Sequence, residues 1–221
     1  MQHSFLPLNG CRVSVLPIEL LVAGLALAVS LMLRPWRMLR GPLGAPWVAS
    51  WVLLSLLWVL PQNLPAGISI QLSGACLLVL MFGWPLAVIE LLLVALVVWL
   101  FGQLGWAAVL SQLVWIGLVP ATLALALGEV LRRALPPHPF IYVLGRAFIG
   151  TALCLFLAGV AYEFAHHLID GVAMEQALVA RWLMAWGDAF ITGMLVSIFV
   201  AFVPEWLATW SDRRYLGPGG P

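Results

Sequence analysis

The chain has 221 residues, of which 64% are hydrophobic and only 9% charged, with a formal net charge of +1 and a mean hydropathy of +1.08. Soluble domains carry about 25% charged residues, so a water-bathed core is excluded and a helical membrane domain is implied. All ten basic residues are scattered arginines, which excludes a clustered nucleic-acid surface, and the absence of lysine excludes a Walker A phosphate loop.

In chain order, residues 1–15 read as an extracytoplasmic N-terminal segment, 16–207 as a single transmembrane helical domain and 208–221 as a cytoplasmic tail. Seven apolar segments, near 16–33, 45–60, 67–82, 84–101, 105–131, 140–165 and 177–203, predict an all-α polytopic membrane helix bundle of about seven transmembrane helices. A cleavage site after Ala26-Leu27-Ala28 would strand Arg34, Arg37 and Arg40 outside, against the inward bias of arginine, so the first helix is expected to stay attached. The N-out/C-in orientation puts those three, Arg132 and Arg133, and Arg213 and Arg214 in the cytoplasm of a bacterial inner membrane. Tryptophans at segment ends, among them Trp36, Trp84, Trp106, Trp206 and Trp210, read as interfacial anchors.

The second, third and fourth segments fall short of the roughly 20 residues that span hydrocarbon. In the third, Gly67, Gln71, Gly74 and Leu78 would share one helix face, either lining a substrate site of the interrupted-helix kind or packing closely with Gln71 bonded to a neighbour. Glu90 in the fourth and Arg146 in the sixth each lie six residues in from the inner side, about 9 Å at helical rise. They are expected to form a buried ion pair. At the outer end of the sixth, Glu163, His166, His167 and Asp170 recur at helical spacing and can hold a divalent metal, or simply mark a helix emerging into water. Small residues four apart, Gly150, Cys154 and Ala158 and likewise Ala189 and Gly193, mark helix contacts with close backbone approach. Cys11, Cys76 and Cys154 have no metal or redox spacing and read as packing residues. In the seventh segment Asp188 lies near the midplane with no cation at its level. It either lines a cargo site or bonds to backbone or to Thr192 one turn on.

The run Gly67-Ile68-Ser69-Ile70-Gln71-Leu72-Ser73-Gly74-Ala75, the Leu80-Met81-Phe82-Gly83-Trp84-Pro85 that follows, Gly187-Asp188-Ala189-Phe190-Ile191-Thr192-Gly193-Met194 and Val203-Pro204-Glu205-Trp206-Leu207 together resemble the CbiM/NikM family. Its members are membrane components of energy-coupling-factor ABC transporters for cobalt and nickel. The resemblance implies a substrate-capturing component without its own ATPase, served by a membrane coupling subunit and cytoplasmic ABC ATPases on other chains. It implies no permanently bound cofactor, a transition-metal ion as cargo, and Gln71, Asp188 and Thr192 as substrate-binding residues. The family holds its metal through an N-terminal M-H-I and a third-helix histidine; here the start is Met1-Gln2-His3 and the third segment offers Gln71. His3 is therefore the imidazole expected at the site. Two rival readings are a metal-dependent intramembrane enzyme using Glu163, His166, His167 and Asp170, and a structural membrane partner without cargo. No H-E-x-x-H or G-x-S-x-G motif supports the enzyme.

Overall fold

A computed structural model describes residues 9–36, 43–59, 72–102, 104–166 and 174–211. Those residues form seven helices and no strand. They are α1 (Asn9–Met32), α2 (Gly44–Val59), α3 (Ala75–Phe82), α4 (Trp84–Phe101), α5 (Trp106–Ala134), α6 (Ile141–His166) and α7 (Met174–Phe202). Five of these, all but α2 and α3, are long and apolar enough to cross a membrane. Helices dominate because each satisfies its backbone hydrogen bonds within itself, which hydrocarbon demands.

α4 is the most buried of the long helices and packs against α1, α2, α3 and α5. The closest pairing joins α6 to α7, where the small residues fall: Gly150, Cys154, Ala158 and Ala189 are buried. A methyl added at Gly193 would meet Phe148 at 3.0 Å, and one at Gly159 would meet Arg181 at 3.1 Å. Outward faces carry large apolar side chains, with Met32 81%, Phe202 79% and Phe101 75% exposed, the surface that lipid requires and water would not tolerate.

Three expectations are corrected. Among the described residues of the third segment, 72–74 are not helical and the helix begins at Ala75, because Gly74 adopts a left-handed backbone with φ 66° and breaks any continuous face through Gly74 and Leu78; Gly67 and Gln71 lie outside the described residues. Trp84 and Trp210 are buried in the bundle and are not interfacial anchors, whereas Trp36 and Trp106 are exposed. Glu90 and Arg146 do not meet. Glu90 on α4 accepts a 2.6 Å hydrogen bond from Ser50 on α2, while Arg146 on α6 lies against Gly128 of α5 and over the Tyr142 ring at 5.8 Å.

Two of the long helices change pitch. Leu113–Leu118 in α5 and Ile141–Ile149 in α6 are wound in π register. For α5 the sequence supplies a cause: Pro120 has no N–H to offer the carbonyl of Ile116 four residues back, and its ring crowds that carbonyl. The released Ile116 oxygen accepts a 2.5 Å hydrogen bond from Ser73 Oγ.

Candidate functional site

α3 is a half-length helix of eight residues, seven of them buried. A short buried helix must find partners for the N–H groups of its first turn and the carbonyls of its last. Asp188 supplies the first. It lies at the midpoint of α7, about 21 Å from either end at about 1.5 Å per residue, and is 5% exposed. Its carboxylate accepts the backbone N–H of Ser73 at 2.7 Å and of Gly74 at 3.3 Å, the end of α3 where the helix dipole favours negative charge.

The lead-in to α3 is held on two further sides. Trp58 Nε1 on α2 donates to the Leu72 carbonyl at 3.0 Å, and Ser73 Oγ reaches the π-wound stretch of α5. Residues 72–74, which directly follow Gln71 in the chain, are thus bonded to three helices. Thr192, one turn beyond Asp188, is 2% exposed. Below, the carbonyls of Met81 and Leu80 accept Ala208 N–H at 2.8 Å and Thr209 Oγ1 at 2.8 Å, so the chain after α7 closes the other end of α3.

A second network lies where α6 ends. Glu19 of α1, 3% exposed, accepts Trp115 Nε1 of α5 at 2.8 Å and lies 3.8 Å from His166 Nε2 of α6. His166 stacks on Tyr162 with ring centroids 4.2 Å apart. Glu163 turns the other way, to Arg181 of α7, at 2.9 Å, and that guanidinium lies over the Tyr162 ring at 4.7 Å. Glu163 and His166 therefore engage different helices, and among the described residues no three His, Cys, Asp or Glu side chains converge as metal ligands. His3, Gln71, His167 and Asp170 lie outside the described residues.

The sequence reasoning missed Glu19, Trp115 and Arg181. Glu19 carried a signal, being a carboxylate four residues into an apolar segment, where an unpaired charge is costly. Trp115 and Ile116 are consecutive, so the π-wound stretch joins the two networks: its indole holds Glu19 and its carbonyl holds Ser73.

Residues 13–206 match the family described as cobalt uptake substrate-specific transmembrane region, CbiM. The chain belongs to the CbiM family. A CbiM protein is a membrane component of cobalt uptake, and this one is a multi-pass membrane protein whose match runs from α1 through α7 and takes in both networks. No match was found among curated proteins or solved structures.

Proposed function

We propose that this CbiM-family chain is the substrate-capturing component of an energy-coupling-factor transporter in a bacterial inner membrane, with seven spans in the N-out/C-in orientation. Its cargo is a transition-metal ion, cobalt first and nickel by the same coordination chemistry. A separate membrane coupling subunit and cytoplasmic ATPases on other chains supply the energy. The family match over residues 13–206 carries this reading. A chain without lysine has no phosphate-binding loop of its own, which agrees with a captured-cargo role.

The cargo site in this reading draws on Gln71, Asp188, Thr192 and the N-terminal His3, with Asp188 beside the start of α3. Imidazole is a stronger ligand than an amide oxygen for Co²⁺ or Ni²⁺, so His3 would carry most of the affinity. Asp188 fixes the 72–74 lead-in and thereby sets where Gln71 can stand. Glu163 and His166, near the end of α6, are oxygen and nitrogen donors that an incoming cation would meet first in this reading, with His167 and Asp170 next in the chain.

Cobalt binding to purified protein by titration calorimetry, and uptake of radioactive cobalt by cells, test this. His3→Ala should weaken binding by about tenfold or more, and uptake should cease without the ATPases. Purified chain that retains no cobalt, or uptake independent of any ATPase, would overturn the reading.

A further inference from the structure

At the end of the bundle where α5 gives way to α6, Gly128, Arg132, Pro136, Tyr142 and Arg146 line a cleft that opens to the surroundings. Arg146 is the unusual member. Its guanidinium packs on the bare backbone of Gly128, where an added methyl would stand 2.6 Å from a terminal nitrogen, and its Nε is buried without a hydrogen-bond partner. None of the described carboxylates forms an ion pair with it. Glu129 is engaged by Arg132 at 2.6 Å and Arg133 at 2.7 Å, so the nearest glutamate in the chain is taken up by other arginines. An arginine at membrane depth is costly unless an anion or a polar cavity receives it.

The surroundings of the cleft decide the anion. Phe140, 74% exposed, and Leu144, 54% exposed, stand on the same helix as Arg146 and face outward. Cationic head-binding groups beside bare apolar side chains fit a molecule with a charged phosphate and an acyl chain. Basic pockets between membrane helices at such depth are phospholipid headgroup sites. We propose that Arg146, with Arg132 at its rim, binds the phosphate of an anionic phospholipid at this end of the bundle. The inference rests on the orientation proposed above, which puts this end on the cytoplasmic side, and not on the cargo.

The shared chemistry is a phosphate oxyanion, and the test separates lipid from free anion. The full chain, purified in a neutral detergent, is titrated with phosphatidylglycerol, phosphatidylcholine or inorganic phosphate while bound lipid is counted by native mass spectrometry. Phosphatidylglycerol should be retained selectively. Arg146→Gln should weaken its retention by about fivefold or more, and Arg132→Gln, at a half-exposed position, by a smaller factor; Arg146→Lys should restore part of it. Should Arg146→Gln fail to fold, Arg132→Gln carries the test. Equal retention of phosphatidylcholine, displacement of lipid by inorganic phosphate at equal concentration, or undiminished retention in the variants overturns the proposal. So does unaltered lipid retention together with lost assembly with partner subunits, which would assign Arg146 to a partner's carboxylate.

Discussion

A carboxylate at mid-bilayer depth costs on the order of 3 kcal/mol unless it is paired or hydrogen-bonded. Asp188 meets that condition with two backbone donors and no cation. Removing the carboxylate leaves two N–H groups at the start of α3 without acceptors, a penalty of about 1–3 kcal/mol for each donor that stays buried. Asp188→Ala should therefore destabilise by about 3 kcal/mol, and Asp188→Asn, which keeps one acceptor oxygen, by about half as much. Thermal unfolding of both variants in detergent checks this, and an Ala variant as stable as the parent would show that the cap contributes nothing. The place of Asp188 at mid-helix was legible in the sequence. Its partner was not, because the donors exist only where Gly74 leaves the helix. Glu90 and Arg146 teach the same lesson from the other side. Helical rise gives each residue's height, and the heights agree, but the direction each side chain faces depends on which helices flank it. Glu90 faces α2 and Arg146 faces α5.

α3 is the element on which the candidate site rests, and little of its stability is its own. Eight residues are too few for an independent helix. Its first turn is fixed by α7 through Asp188, and its last by Ala208 and Thr209. The hinge of this arrangement is Gly74, whose φ of 66° a side chain adopts at a cost of about 1–2 kcal/mol. A methyl there would also stand 3.0 Å from Leu54 Cδ1. Gly74→Ala should lower stability by about 1–2 kcal/mol and should loosen the 72–74 lead-in, so that cobalt binding falls along with the melting temperature. Undiminished binding and melting in this variant would mean that the backbone at Gly74 relaxes freely. The shortness of the third segment was readable from its Pro/Gly punctuation, and the small residues of α6 and α7 marked close helix contact without saying which helices meet. The π-wound stretch of α5 was not read, although Pro120 marked it. A proline inside an apolar run frees one carbonyl, and here Ser73 takes that carbonyl.

At the scale of the whole molecule, side-chain contacts sort the helix ends into two faces. Tyr142 at the start of α6 bonds Thr209 beyond the end of α7 at 2.7 Å, and Thr209 bonds Leu80 near the end of α3. Ser30 near the end of α1 donates to Pro85 at the start of α4 at 2.7 Å. These contacts gather one face, with the end of α5 beside it through Arg146 and Gly128. The opposite face joins the first half of α1, the first half of α5 and the end of α6 through Glu19, Trp115 and His166, and the start of α7 through Arg181 and Glu163. By their places along the helices, Arg34, Arg132, Arg133 and Arg146 belong to the first face together with Glu129 and Glu205, and Arg12 and Arg181 to the second together with Glu19, Glu163 and Glu175. Arginine near helix ends marks the cytoplasmic side, and the orientation proposed above takes the first face as the inner one. Reporter fusions after Arg133 and after Trp210 should read as cytoplasmic, and fusions after Leu104 and after His166 as periplasmic. If the Leu104 and Arg133 fusions report the same compartment, α5 does not cross the membrane and the two-face arrangement fails. If all four report with reversed sides, the faces stand and the arginine bias does not set the orientation of this chain.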